Sequence, residues 1–353
     1  MSNVTGRKFA TIEDVARHAG VSRAAVSKVI RGAYGVSDTM RERVNSSIAE
    51  LNYRPRVAAR AMRGSSFTLG IEIPEFGNPF FIRILKGATE AIAGTDYQLI
   101  IAPADAGIET DAVEGYRALE ALADRQVDGI VAVSPLVQAD WLARLAERTP
   151  VVMLGRHDDA SNYDRVVGDD AVGAALVMDH LFSLGHERIA HVTRSEAVTF
   201  GNSTPHAIRL GVYERMMRAA GHGSHVEVVR TGPTERHSFE ATRALLQTPN
   251  RPTAIFAAHD ELALGALRAV GALGLTAAEV SVIGYDDIDL ADHPAISLTT
   301  VDQAGVEMGR QAVRLLIEQI AGRSEPVEYV STPTLKVRGS TAPVRRRSLL
   351  RRR

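Results

Sequence analysis

The sequence predicts an α/β protein: an N-terminal three-helix helix-turn-helix head, then a two-lobed domain built on parallel sheets. Three observations carry this. Residues 11–30 read as two short helices around a glycine turn. From Phe67 onward apolar strands alternate with helices, and the alternation runs twice. The charge is uneven: residues 1–64 hold 12 Lys/Arg against 5 Asp/Glu, residues 65–344 hold 23 against 37, and the remaining tail adds six arginines. A basic head on an acidic body implies a polyanionic partner held at one end.

The 353 residues suffice for two or three domains and a sizeable core. The absence of cysteine excludes a disulfide framework, thiolate chemistry and cysteine metal sites. No apolar run approaches the length of a membrane span. The first residues, Met1 to Lys8, are followed by no apolar signal segment. The expectation is a cytoplasmic protein with no membrane partner.

In the head, Ile12, Val15 and Ala16 share one helical face. Gly20 stops that helix, because glycine takes a left-handed backbone without steric cost. Ser22 caps the next helix, which buries Val26, Val29 and Ile30 and leaves Arg23, Ala24, Ala25, Ser27 and Lys28 facing outward. A short helix with a small, polar and basic outer face is the arrangement that reads a DNA groove. Ser37 caps a third helix carrying Met40, Val44, Ile48 and Leu51 at helical spacing. Three helices in so short a segment bury little surface, so the head is expected to be marginally stable alone. Pro55 then opens a basic, alanine-rich segment, Arg56 to Arg63, too short to be a stable isolated helix.

The body begins with the strand Phe67 to Pro74. A helix at about 80–93, the strand Tyr97 to Ala102 and a helix at about 109–125 follow. Strands Gly129 to Val133 and Val151 to Leu154 flank a helix at about 138–147. The series restarts after Val166 to Asp170, with strands Arg188 to Val192, Val226 to Val229, Ala254 to Ala257 and Val280 to Tyr285. Helices at about 171–184, 205–220, 236–247 and 260–272 separate them. A last amphipathic helix spans about 303–321, before strand-like Val327 to Val330 and Leu335 to Val337. Nearly all-apolar strands of this kind belong to parallel sheets covered on both faces. Such sheets bind ligands beyond the carboxyl ends of their strands, so two facing lobes make a ligand cleft.

Several ordered signatures resemble the LacI family of bacterial transcription regulators, along residues 10–342. They are Ala10 to Ala16 with Ala19-Gly20-Val21-Ser22, then Val26-Ser27-Lys28-Val29 and Leu51-Asn52-Tyr53-Arg54-Pro55. In the body come Asn78-Pro79-Phe80-Phe81, Leu184-Gly185-His186, Arg209 with Tyr213, His259-Asp260, Gly284-Tyr285-Asp286-Asp287 and Leu298-Thr299-Thr300-Val301. The set is specific where no single member is. The resemblance implies a head at 1–51, a hinge helix and linker at 52–65, an effector-binding and dimerisation domain at 66–342, and a basic tail at 343–353. It implies a periplasmic-binding-protein-like domain, with lobe 1 at about 66–168 and 298–329 and lobe 2 at about 169–297 and 330–342. It implies a homodimer on a near-palindromic double-stranded operator, a sugar-like effector, and neither enzyme activity, cofactor nor metal.

Carried over by position, Arg23 and Ala24 read bases, Arg23 by donating to a guanine edge and Ala24 by apolar contact. Lys28 stands where arginine is more common. Ser22, Ser27 and Arg54 fall to phosphate contacts, Thr11, Ala25 and Ala59 complete the DNA-facing set, and Met62 takes the minor-groove wedge position. On the effector side the resemblance assigns Phe80, Arg209, His259, Asp286 and Gln303, with Phe76 and Phe200 as further apolar wall. His259 stands where asparagine is usual, Gly155 before Arg156 where aspartate is usual, and Val212 where glycine is common. These departures point away from a standard hexose.

Two other classes fit worse. His186 and His191 are five residues apart, and His191 falls in a strand, so they do not make a zinc-protease helix face. Asp169-Asp170 and Asp286-Asp287 lack a third convergent ligand for a hard cation. A solute-binding protein without regulatory DNA binding shares the two-lobed architecture, but a secretory signal and no DNA head would support it, and this chain has the reverse.

Overall fold

The computed structural model describes residues 10–30, 33–53, 65–104, 112–159, 162–194 and 204–344. The chain divides into two units, Met1–Ser66 and Phe67–Arg353.

In the first unit, α1 (Ile12–Ala19) starts with a reciprocal cap. The Thr11 hydroxyl accepts from the Asp14 amide, and the Asp14 carboxylate accepts from the Thr11 amide at 2.9 Å. Gly20 ends the helix at φ +63°, as the sequence predicts. The Ser22 Oγ accepts from the Ala25 amide at 3.2 Å and opens α2 (Arg23–Ile30). Ser37 caps α3 (Asp38–Glu50). Val15, Ala16, Ala19, Val26, Val29 and Val44 form the head's core, with Met40, Ile48 and Leu51 packed against it.

The second unit opens with β1 (Thr68–Ile73), α4 (Pro79–Ile92), β2 (Gln98–Pro103), α5 (Ala112–Asp124), β3 (Gly129–Val133), α6 (Ala139–Ala146), β4 (Val151–Leu154) and β5 (Asp164–Gly168). Then follow α7 (Asp170–Ser183), β6 (Ile189–Arg194), α8 (Pro205–Ala219), β7 (Glu227–Thr231), α9 (Glu235–Leu246), β8 (Ala254–Ala257), α10 (Asp260–Ala272) and β9 (Ser281–Ile283). The chain finishes with β10 (Thr300–Asp302), α11 (Gly305–Ile320), β11 (Glu328–Ser331) and β12 (Thr334–Lys336). The first sheet has the order β11-β5-β4-β3-β1-β2 and the second β7-β6-β8-β9, parallel throughout. Central strands such as β3, β4 and β8 are buried along their whole length, which is why they read as unbroken apolar runs.

Strand pairing corrects the lobe boundaries. β10 pairs antiparallel with β12, and Val301 belongs to the core of the second lobe. Ser331 pairs with Gly168 in the first sheet. The chain therefore returns to lobe 1 near residue 303, not 298, and leaves it after 331, not 329. A three-residue strand has too little period to show which sheet it joins.

α4 and α11 pack backbone to backbone. A Cβ on Gly87 would collide with the Val306 carbonyl, and one on Gly309 with the Ile84 carbonyl. These two helices carry Phe80 and follow Gln303, so their spacing sets one wall of the cleft. Gly87→Val is expected to destabilise the second unit by about 3 kcal/mol through overpacking. Guanidinium unfolding checks this; an unchanged midpoint would exclude the close approach.

Candidate functional site

A cleft lies between the two lobes, beyond the carboxyl ends of the strands, with about 1060 Å³ of empty space including solvent at its mouth. Lobe 1 contributes Glu75 and Asn78 after β1, Ser134 after β3 and Arg156 after β4. Lobe 2 contributes Arg194 at the end of β6, His259 after β8 and Asp286 after β9, and Gln303 follows β10. Helix starts converge on the same space. The Asn78 Oδ1 caps α4 by accepting from the Phe80 amide at 3.0 Å. Asp169 caps α7, Thr204 caps α8, and His259 is the N-cap residue of α10.

Arg209 is the hub. Its Nε donates to Asp170 Oδ1 at 2.8 Å, its Nη1 to the Ala258 carbonyl at 2.7 Å, and its Nη2 lies 2.7 Å from Asp170 Oδ1 and 3.5 Å from Gln303 Oε1. The guanidinium carbon sits 3.5 Å from the Tyr285 ring centroid. Burial works most strongly against its charge, but Asp170, Tyr285 and Asp286 together outweigh burial and hold the guanidinium above its usual range. Gln303 Nε2 donates to Asp286 Oδ1 at 2.5 Å. Burial pushes the Asp286 carboxyl well above the usual carboxylate range, while Arg209 and the Gln303 hydrogen bond pull it back. Asp286 holds φ at +122° and Asp287 at +50°, a strained turn fixed from outside. The Asp286 amide donates to the Val301 carbonyl at 2.8 Å, and Arg338 donates to Asp287 Oδ1 at 2.7 Å. Bridges between the lobes include Arg83 of α4, which donates to the Asp287 carbonyl, Arg194, which lies 3.6 Å from Glu75, and His157, whose Nε2 lies 3.1 Å from Asp170 Oδ2.

Of the residues assigned by resemblance, Phe80, Arg209, His259, Asp286 and Gln303 all line this cleft. Phe76 does not: it is absent from the cleft lining and 58 % exposed. Phe200 lies outside the described residues. Gly155, where an acid is usual, holds φ +100°, and a Cβ there would collide with the Ser134 hydroxyl. Arg156 beside it is spent on structure, paired with Asp158 and donating to the Pro135 and Val137 carbonyls at 2.6 Å. Asp260 serves the fold as well: it accepts from Thr300 Oγ1 at 2.6 Å and from the Ile288 amide at 2.9 Å. His191 is buried in β6; its Nδ1 donates to the Phe256 carbonyl at 3.0 Å, and its Nε2 is buried without a partner. Among the described residues no cluster has the composition of a metal site.

Sequence reasoning missed Glu75, Asp170 as the partner of Arg209, Arg194 and His206. Arg194 closes a strand and His206 opens a helix, so both sit where open α/β sheets place ligand-facing groups.

In the head, Arg23, Ala24 and Lys28 are exposed on α2, with Ala25 and Ser27 half-buried. Arg23 lies 3.4 Å from Glu13 with both side chains exposed, an ion pair weak enough to give way to a stronger acceptor. The Thr11 hydroxyl donates to Asp14 Oδ2 at 2.7 Å and is committed to its cap. Arg54, Ala59 and Met62 lie outside the described residues. Among the described residues no helix is long and apolar enough to cross a membrane.

Comparison with known proteins bears on both units. The family model for bacterial regulatory proteins of the lacI family matches residues 11–56, and that for a periplasmic binding protein-like domain matches residues 178–341. The chain is 32% identical over 338 residues to the ribose operon repressor of Escherichia coli K12, covering 94% of this chain and 100% of that one. It is 33% identical over 349 residues to the regulator CelR of Thermobifida fusca, covering 95% and 99%. The lac repressor dimer bound to operator and the anti-inducer ONPF superposes with a TM-score of 0.77 at 26% identity, over 95% of this chain and all of that one. These relatives are DNA-binding regulators, not enzymes, and with its head and its cleft domain both matched the chain belongs to the LacI family of bacterial transcription regulators.

Proposed function

We propose that this protein represses transcription from the cytoplasm by holding a near-palindromic operator as a homodimer, with its grip set by a sugar-like effector in the inter-lobe cleft. The observation that carries the reading is the convergence of Phe80, Arg209, His259, Asp286 and Gln303 on one cleft in a chain that also bears the helix-turn-helix head. Asp286 and Gln303 present a carboxyl and an amide to the cleft, while Arg209, its donors taken by Asp170, Ala258 and Gln303, fixes their positions. Relatives in complex with ribose and with cellobiose support a polyhydroxylated ligand.

On DNA, Arg23 takes a guanine edge, Ala24 a thymine methyl, and Lys28 a base edge or phosphate as a point charge. Ser22 and Ser27 fix register on the backbone. The proposed hinge, Arg56 to Arg63 with Met62 as the wedge, rests on the sequence alone. Effector shifts operator affinity only by binding the DNA-competent and DNA-free states differently. Selection from randomised duplexes with the full-length chain tests the reading. An inverted repeat, bound as a dimer, is expected; enrichment of no motif would overturn it.

A further inference from the structure

The fully buried polar atoms left without a partner on the lobe 2 lining of this cleft are all nitrogens. Arg194 ends β6, His206 is the second residue of α8, and His259 is the N-cap residue of α10. The two imidazoles meet edge to face with centroids 5.6 Å apart. Both ring nitrogens of His259, Nδ1 of His206 and Nε of Arg194 are buried without a hydrogen-bond partner, and His259 is only 3 % exposed. The acids nearby are engaged: Asp170 by Arg209 and His157, Asp286 by Gln303, Glu75 by Arg194. Buried polar atoms of a folded protein ordinarily have partners; each neutral imidazole can offer one N–H and Arg194 its Nε–H, so three donors here await an acceptor. α8 and α10 add to this, since each turns its positive N-terminal end toward the same point.

We propose that the effector carries an oxyanion, a carboxylate or a phosphate, seated on Arg194, His206 and His259. The inference rests on the cleft being the effector site and names the ligand class it takes. A neutral hydroxyl would satisfy one or two of these nitrogens. An oxyanion accepts from all three side chains, and its hydrogen bonds are charge-assisted and about twice as strong.

Proton uptake follows. The charged and titratable groups facing the pair are Arg194 and His191 of β6, Arg209 of α8, Asp170 at the start of α7, Asp286 after β9 and Glu75 from lobe 1. Burial first, then Arg194 and Arg209, pull His259 down to about 3; burial, then His259 and the arginines, pull His206 well below its ordinary range. Both rings are therefore neutral in the free protein. A bound anion raises their affinity for protons, so binding takes up protons and tightens as pH falls.

The test uses the full-length chain and matched probes: ribose, ribonate and ribose 5-phosphate, and glucose, glucuronate and glucose 6-phosphate. Calorimetry in buffers of different ionisation heat, from about pH 8.5 to about pH 6.5, reads affinity and proton uptake together. At least one acidic member is expected to bind about tenfold or more tighter than its neutral parent, with proton uptake. The carboxylate and phosphate arms decide between the two anions. H206Q/H259Q is expected to level acid with parent and abolish the pH dependence; the wild-type proton count needs no variant. Neutral parents binding as tightly as their acids, no acid binding, or an acid binding without proton uptake would overturn the proposal. A neutral sugar that binds and shifts operator affinity would sink the oxyanion seat and leave the regulatory reading standing. An oxyanion that binds with proton uptake yet leaves operator affinity unchanged would do the reverse.

Discussion

Arg209→Ala is expected to abolish the effector response and to destabilise the second unit by about 3–5 kcal/mol. The arginine is 3 % exposed and its partner Asp170 1 % exposed, so truncation strands a buried carboxylate with only His157 beside it. It also removes the donor to the Ala258 carbonyl and the cation over the Tyr285 ring. Ala258 precedes His259, so the loss reaches the start of α10 and the cleft wall together. Arg209→Lys keeps a charge near Asp170 but loses the planar fork, and should recover part of the stability without the effector response. Guanidinium unfolding and effector titration read the two effects separately. Wild-type stability in Arg209→Ala would show that the hub is dispensable.

Operator affinity is expected to fall about 10³-fold or more between 50 and 200 mM salt. Twelve Lys/Arg against five acids in residues 1–64 give each head a positive surface, and a dimer brings two. Phosphate neutralisation releases counterions, and six or more such contacts give a slope of this size. The acidic body adds no favourable long-range term, so the effect belongs to the heads. Fluorescence anisotropy with a labelled operator across a salt series measures it. A flat response would remove the phosphate contacts from the account.

Much of this architecture is legible in the sequence, for identifiable reasons. Gly20, Ser22 and Ser37 act as the stop and caps their chemistry predicts, because capping is decided within a few residues. Strands Gly129–Val133, Val151–Leu154 and Ala254–Ala257 match their apolar runs residue for residue, because both sheet faces bury them. What fails depends on distant parts of the chain. Thr300–Asp302 pairs antiparallel with Thr334–Lys336 in a two-stranded sheet of their own, a pairing no local pattern encodes. Phe76 is placed at the cleft wall by resemblance, yet it stands exposed two residues before a helix cap. The Asp170–Arg209 pair spans 39 residues and the His206–His259 pair 53, and only the folded lobe brings each together. Asp170, read alone, is one more acid at a helix start; beside Arg209 it becomes the anchor of the site.

The central claim is that occupancy of the cleft and grip on the operator are one coupled equilibrium. Linkage makes that claim strict: whatever factor the effector applies to operator affinity, the operator must apply to effector affinity. The direct measurement is effector affinity of the full-length dimer, free and saturated with operator, set beside operator affinity with and without saturating effector. The account predicts equal factors, on the order of fivefold or more. A factor of one in both directions would separate the cleft from the head and contradict it.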